Sequence, residues 1–206
     1  MKNLETEIKW DADTPRAFWR MLSAVKKQIP AGEITAKNIL RITDVYLDHA
    51  DHRFEKEQLA FRVRHFQNVW EATFKTRTQL VNGKAVRREE TQRLRGVKNL
   101  TEVLEKLSAQ KTWKKLSLTG LQPLFTIKNK RMVRQIFQPK FQAELAFDTC
   151  TIIAGEKRAP RKEIELELKR GNAAAFEEFA ACLSRTSGLS RAKTSKVKTA
   201  VLLLKQ

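Results

Sequence analysis

The stretch KEIELELK at residues 162–169 decides the fold. Its apolar residues alternate with three glutamates, which is the period of a β-strand whose successive side chains point to opposite faces of a sheet. The N-terminal stretch ETEIKW at residues 5–10 repeats the order Glu-x-Glu-x-Lys. Each predicted strand therefore has one apolar and one charged face. The acidic residues of the two charged faces are Glu5, Glu7, Glu163, Glu165 and Glu167, and the lysines that follow them are Lys9 and Lys169.

Rows of basic residues occupy other predicted strands. Arg62 and Arg64 share one face of a strand, and Lys75 lies two residues from both Thr73 and Arg77. Further basic residues crowd one segment, namely Lys128, Lys130, Arg131 and Arg134. A single charged row on a half-buried sheet ordinarily faces solvent. Because charged faces recur on most of the predicted strands, the joint pattern favours an enclosed charged cavity instead.

The spacing predicts eight strands and four helices in one domain over residues 1–206. We expect an α+β fold: a closed, largely antiparallel eight-stranded β-barrel with a charged interior and helices packed outside. Tight turns are predicted at Asn82-Gly83 and Gln138-Pro139-Lys140. The predicted strands are 3–10, 42–48, 58–66, 69–77, 85–94, 125–137, 141–153 and 162–169. The predicted helices run from about 13 to 29, 98 to 110, 172 to 188 and 193 to 204.

A barrel with a charged interior requires ligands. Buried like charges cost several kcal/mol each unless they are paired, so the carboxylates must hold cations and the Arg and Lys rows must hold anions. A metal-bound triphosphate supplies both. Clustered glutamates suit Mg²⁺ or Mn²⁺, which prefer oxygen ligands, and arginine grips phosphate with two parallel hydrogen bonds.

The composition limits the classes of partner. Lys and Arg total 41 against 23 Asp and Glu, a formal charge of +18, so an anion is expected: nucleic acid, an acidic membrane surface or a small polyphosphate. The acidic N-terminus does not fit a signal peptide, and no run approaches about 20 apolar residues, so we expect a cytoplasmic protein without a membrane partner. Cys150 and Cys182 lack CxxC spacing, which argues against a disulfide framework or a zinc site.

These residues resemble the CYTH superfamily, also called triphosphate tunnel metalloenzymes. The Glu-x-Glu-x-Lys of Glu5, Glu7 and Lys9 is the hallmark, and matching features follow in family order along nearly the whole chain. These features are Tyr46-Leu47-Asp48, Arg62-x-Arg64, Lys75, Glu90 in RREE, Glu144 before Asp148, EIELELK and Lys193 to Lys196. EIELELKRG and Ser195-Lys196 are most similar to bacterial inorganic triphosphatases. Those enzymes often carry a C-terminal CHAD domain, so the chain is either a standalone CYTH protein or a fragment.

The resemblance implies roles for individual residues. Metal would be bound by Glu5, Glu7 and two of Glu163, Glu165 and Glu167, with Glu90 and Glu144 as additional candidates. Phosphates would be contacted by Lys9, Arg62, Arg64, Lys75, Arg131 and Lys196, and more weakly by Lys130, Arg134, Lys169 and Lys193. The candidate catalytic residues are Glu165, Glu167 and Lys75. Positioning and charge neutralisation dominate phosphoanhydride hydrolysis, so no protein nucleophile is needed.

Two other readings of the sequence stay open. The same resemblance covers class IV adenylate cyclases and thiamine or nucleoside triphosphatases, although nothing in the sequence clearly encodes a nucleobase pocket. A non-catalytic polyphosphate- or RNA-binding module would also explain the charge, but Trp10, Phe61 and Trp70 fall on or beside apolar faces and are assigned to packing. Excess basic charge, including Arg87-Arg88 and Lys157-Arg158, could attract long-chain polyphosphate or nucleic acid. The sequence leaves the oligomeric state open.

Overall fold

A computed structural model describes residues 6–14, 16–29, 33–35, 37–77, 79–81, 84–86 and 89–205. Its main sheet has eight strands in the order β1-β10-β9-β8-β2-β3-β4-β7, and β5 and β6 form a separate hairpin. The strands are β1 Thr6–Asp11, β2 Asn38–Asp48, β3 Ala60–Phe66, β4 Val69–Lys75, β5 Gln79–Val81, β6 Lys84–Val86, β7 Glu89–Leu94, β8 Gln122–Gln138, β9 Phe141–Ala154 and β10 Lys157–Gly171. The helices are α1 Ala17–Gln28, α2 Arg53–Lys56, α3 Leu100–Ser108, α4 Lys111–Lys114, α5 Ala173–Ser187 and α6 Lys196–Lys205.

The predicted α+β fold with an eight-stranded sheet is confirmed. Each predicted strand and helix has a counterpart at nearly the predicted position, and the turn before Phe141 joins β8 to β9 as expected. Helices α2 and α4 were not predicted, and neither was the separation of β5 and β6 from the strands before and after them. The predicted Asn82-Gly83 turn lies outside the described residues, although Val81 and Lys84 on either side of it pair. Closure of the sheet into a barrel stays a prediction.

Antiparallel pairing of β1 with β10 fixes the faces of both strands. Glu7 lies opposite Glu167, and Lys9 lies opposite Glu165. The apolar residues of the two strands share the other face, where Trp10 lies opposite Ile164. The alternation in the sequence therefore becomes one charged and one apolar face, as predicted.

The chain divides into two compact units, each with its own core. Among the described residues, the first unit comprises Ile42–Lys128 and Ile153–Lys157, and the second comprises 6–41, 129–152 and 158–205. Strands β2, β8, β9 and β10 contribute residues to both units. The expectation of a single domain over 1–206 stays a prediction.

Helices cover the apolar strand faces in each unit. In the first unit, Phe61 and Val63 of β3 pack in one cluster with Val103 and Leu107 of α3. In the second unit, the fully buried Trp10 and Ile164 belong to a cluster that includes residues of α1 and α5. The opposite, charged faces are left for the candidate site. None of the described helices combines the length and apolar character needed to cross a membrane.

Candidate functional site

Three buried carboxylates meet in the second unit. Asp148 comes from β9, and Glu163 and Glu165 come from β10; one oxygen of each lies within 4.8 Å of the others. Asp148 and Glu163 are fully buried, and Glu165 is 7% exposed. We call these three residues the carboxylate cluster. Carboxylates crowded this closely require compensating cations.

Three cationic side chains provide that compensation. Arg131 of β8 donates two hydrogen bonds to Asp148, at 2.7 and 2.6 Å, and also contacts Glu165. Lys196 at the start of α6 places Nζ 2.5, 2.8 and 3.0 Å from oxygens of Asp148, Glu163 and Glu165.

The third cation is Lys9 of β1, which lies at the edge of the carboxylate cluster. Its Nζ is 3.1 Å from Glu165 and 3.0 Å from Glu7. Three of the predicted phosphate ligands, Lys9, Arg131 and Lys196, thus surround two of the predicted metal ligands.

The carboxylates of the cluster differ in ionisation. Burial opposes the charge on Glu165, but Lys196, Arg131 and Lys9 hold its pKa well below the ordinary value. The same competition lowers the pKa of Asp148, where Lys196 and Arg131 outweigh burial. Burial and the neighbouring charge of Glu165 instead raise the pKa of Glu163, although Lys196 opposes the shift. At neutral pH, Asp148 and Glu165 are therefore anions, and Glu163 holds a proton more readily than an ordinary glutamate.

The carboxylate cluster fits a hard divalent cation. Its donors are all carboxylate oxygens, which Mg²⁺ and Mn²⁺ prefer. The buried Oε1 of Glu163 accepts no hydrogen bond from the described residues, since Lys196 approaches it outside hydrogen-bonding geometry. This oxygen is therefore available to a cation.

A second charged face lies in the first unit, on β3, β4 and β7. Arg64 donates two hydrogen bonds to Asp44, at 2.6 and 2.9 Å, and Arg62 donates to Thr73 at 3.1 Å. Lys75 pairs with Glu89. The predicted phosphate ligands of these strands therefore share a face, and each has a partner on it.

Other predicted site residues lie further from these groups. Glu144, half-buried on β9, accepts a hydrogen bond from Gln135 at 2.9 Å and supports the positive charge of Arg131. Glu167 pairs with the exposed Lys169 at 2.6 Å. Glu5 lies outside the described residues.

Three of the predicted residues occupy unexpected faces or positions. Glu90 is exposed and lies opposite Phe74, so Glu89, not Glu90, shares the charged face with Lys75. Lys130 and Arg134 alternate with Arg131 along β8 and point to its other face, where Arg134 donates to the carbonyl of Thr35.

A groove of about 410 Å³ lies in the second unit and shares Lys9 with the edge of the carboxylate cluster. The exposed Lys193 lies on it. The groove is lined by Glu7, Ile8, Lys9, residues 191–195 and Lys198.

Sequence reasoning missed two residues of the site. The first is Asp148, which the sequence pattern marks only as a neighbour of Glu144. The second is Arg161 of β10, whose Nε donates a hydrogen bond to Oε2 of Glu163 at 2.8 Å. Arg161 precedes Glu163 by two residues, so extending the alternating row of β10 backwards would have found it. The face of Asp148 was harder to recognise because Ala146 and Cys150 stand beside it in the same row.

Comparison with known families decides the classification. The model of the CYTH domain matches residues 4–201, nearly the whole chain. The chain belongs to the CYTH family. This confirms the resemblance that the Glu-x-Glu-x-Lys and EIELELK segments indicated.

Relatives of this CYTH domain include enzymes that act on triphosphates. The inorganic triphosphatase of Haemophilus influenzae is 30% identical over 164 residues, covering 80% of this chain and 46% of that protein. The chain thus spans about half the length of the curated relative it matches.

Two solved structures share the fold of this CYTH domain. One is a Pyrococcus horikoshii protein, with a TM-score of 0.59, 19% identity and coverage of 98% of this chain and 99% of that one. Another is a Hippeastrum protein with a dominant triphosphatase activity, with a TM-score of 0.58, 13% identity and coverage of 96% and 95%.

Proposed function

We propose that this CYTH domain is a metal-dependent triphosphatase that hydrolyses inorganic triphosphate to pyrophosphate and phosphate, with Mg²⁺ or Mn²⁺ as cofactor. The observation that carries the proposal is the carboxylate cluster with its ring of Lys9, Arg131 and Lys196. It combines oxygen donors for a cation with donors for phosphate within one small volume. The name of the Haemophilus influenzae relative supports the choice of substrate.

The cation would be held by Asp148, Glu163 and Glu165, with Glu7 as a further ligand. When bound, it supplies positive charge to phosphate oxygens and increases the acidity of bound water. Lys9, Arg131 and Lys196 bind phosphate oxygens by charge-assisted hydrogen bonds. On the first unit, Arg62, Arg64 and Lys75 have the same chemistry available.

Hydrolysis needs no covalent intermediate on the protein. A water oxygen forms a bond to a terminal phosphorus, the anhydride P–O bond breaks and pyrophosphate leaves. Glu165 is the residue assigned to orient the water, because its lowered pKa keeps it an anion that accepts a hydrogen bond, and the proton that the water loses passes to a phosphate oxygen. The basic side chains stabilise the charge that develops on the leaving group.

A phosphate-release panel tests the proposal. Purified protein is assayed with inorganic triphosphate, ATP and thiamine triphosphate, each with Mg²⁺, Mn²⁺ or EDTA, and ATP reactions are also assayed for cyclic AMP. We expect inorganic triphosphate to be hydrolysed fastest and EDTA to abolish release. Cyclic AMP formation, or faster release from an organic triphosphate, would instead favour the cyclase or thiamine triphosphatase alternatives.

Variants link the activity to the site. Glu7→Gln and Glu165→Gln should each reduce turnover at least a hundredfold, on the order of the loss seen when a key electrostatic group is removed. Glu156→Gln is the matched control, since Glu156 is exposed in the turn between β9 and β10 and loses the same charge. Wild-type turnover in folded Glu165→Gln protein would refute the assigned site.

A further inference from the structure

Arg161 on β10 is saturated with hydrogen bonds. Its Nε donates to Oε2 of Glu163 at 2.8 Å, and one terminal nitrogen donates to Asp11 at 3.1 Å and to the carbonyl of Thr194 at 2.6 Å. The other terminal nitrogen donates to the hydroxyls of Thr194 and Thr199, at 3.1 and 3.3 Å. All five N–H groups of the guanidinium are thus used.

These contacts join β1, β10 and the start of α6, three of the segments around the carboxylate cluster. Asp11 belongs to β1 and Glu163 to β10, whereas Thr194 precedes α6 and Thr199 lies within it. The Arg161 side chain is 11% exposed, so its charge is largely removed from water. Such a side chain holds its neighbours in one arrangement, because every contact it loses leaves a buried donor without a partner.

Two partners of Arg161 set the geometry of the carboxylate cluster: Glu163 itself and the first turn of α6. Its bond to Oε2 leaves Oε1 of Glu163 directed at Lys196, 2.8 Å away. Its bonds to Thr194 and Thr199 lie on either side of Lys196 in the chain and fix the first turn of α6. The position of the Lys196 ammonium among the three carboxylates therefore depends on the Arg161 fork.

We propose that Arg161 is a positioning residue for metal binding and triphosphate hydrolysis, acting through Glu163 and Lys196. This inference rests on the proposed function for its catalytic consequence, but its effect on metal affinity can be measured separately. Neighbours that orient metal ligands typically change metal affinity or activity by about 10- to 100-fold when replaced. Lysine could keep the charge of Arg161 but cannot make five hydrogen bonds in a fixed plane.

Arg161→Lys and Arg161→Gln test the proposal. Lys162→Gln is the matched control: Lys162 is adjacent on β10, exposed, and points to the opposite face. Mn²⁺ affinity is measured by titration calorimetry without substrate, well below the melting temperature of every variant. Turnover of inorganic triphosphate is measured in parallel, and α6 amide hydrogen exchange reports on the local structure.

We expect Arg161→Lys to stay folded, to bind Mn²⁺ about tenfold more weakly and to lose at least tenfold in kcat. Arg161→Gln should show larger losses, and Lys162→Gln should match the wild type. Unchanged Mn²⁺ affinity and kcat in Arg161→Lys, even with faster α6 exchange, would reduce Arg161 to a structural role and overturn the proposal. If Arg161→Gln does not fold, the Mn²⁺ affinity and kcat of Arg161→Lys alone test the proposal.

The same experiment separates the two proposals. A wild type that binds Mn²⁺ but releases no phosphate from triphosphate contradicts the proposed function; a weaker Mn²⁺ complex in Arg161→Lys would still support the positioning role. A wild type that hydrolyses triphosphate, with both Arg161 variants equally active and equally tight for Mn²⁺, contradicts only the positioning role.

Discussion

At the residue scale, two carboxylates of the cluster differ in how readily they hold a proton. Lys196 and Arg131 lower the pKa of Asp148 and hold it ionised, whereas burial raises the pKa of Glu163 despite the opposing charge of Lys196. Two neighbouring acids therefore make opposite contributions to folding stability. Replacing each by its amide distinguishes them.

Asp148→Asn should destabilise the protein at pH 7 by about 3–5 kcal/mol, the usual cost of removing one partner from a buried ion pair. The folded pKa of Asp148 is lowered, so its contribution is present above the unfolded pKa of about 4 and is lost as the pH falls through the folded value. Urea unfolding at several pH values should show the gap from the wild type closing below about pH 4. A stability difference that does not change with pH would contradict the ionisation of Asp148 in the folded protein.

Glu163→Gln should behave in the opposite way. The folded pKa of Glu163 is raised, so its favourable contribution is complete below the unfolded pKa, about 4, and is lost as the pH rises through the folded value. At pH 7 the amide removes the cost of a buried charge, and urea unfolding should find this variant at least as stable as the wild type. Marked destabilisation at pH 7 would show that Glu163 is a well-compensated anion.

Lys196 should compete with metal for the same oxygens. Its ammonium lies within 3.0 Å of all three carboxylates, so Lys196→Met leaves them with less positive charge. We expect this variant to melt at lower temperature in EDTA and to gain more from Mn²⁺ than the wild type does. Lys198→Met removes the same charge from an exposed position of α6 and is the control. An equal Mn²⁺ shift in all three proteins would argue against the competition.

At the element scale, the sequence predicts whole strands better than it predicts their faces. Strand alternation located β1, β3 and β10, because apolar and charged residues are cleanly separated in them. In the segment RREE, Glu89 and Glu90 point to opposite faces, so the sequence alone allows either one on the charged face. The pairing of Thr73 with Thr91 places Glu89 beside Lys75. A shift of one residue exchanges the faces, so the register of β4 and β7 decides which acid lies on the charged face.

The junction of β10 and α5 requires glycine. Gly171 has φ +108°, and a Cβ there would lie 2.4 Å from the carbonyl oxygen of Lys140. Gly171→Ala should therefore cost more than Gly155→Ala, where φ is +60° and nothing lies within 4 Å. We expect about 1–2 kcal/mol for Gly155→Ala, the ordinary cost of a left-handed residue, and a larger loss for Gly171→Ala in urea unfolding. Equal losses would mean that Lys140 moves aside freely.

At the scale of the whole molecule, the formal charge of +18 predicts that the protein binds polyanions whether or not it hydrolyses them. RNA or long-chain polyphosphate held by this excess should dissociate steeply with salt, with a slope of about −0.7 to −0.9 per phosphate contacted in a plot of log affinity against log salt.

Fluorescence anisotropy with labelled RNA checks this expectation. Replacing the exposed Arg158 and Lys162 by Gln should weaken RNA binding and leave triphosphate turnover unchanged. Salt-insensitive RNA binding that inorganic triphosphate displaces, without any phosphate release, would favour the non-catalytic module instead.

The carboxylate cluster and the cations around it come from distant parts of the chain. Lys9 and Glu165 are separated by 156 positions, and Lys196 and Asp148 by 48. Contacts between remote segments form slowly, because the chain must first close long loops. During synthesis, β1 leaves the ribosome long before its partner β10, and the carboxylates of β9 and β10 leave it before Lys196 of α6. A nascent polypeptide therefore cannot bring Lys196 to the carboxylate cluster until α6 has left the ribosome.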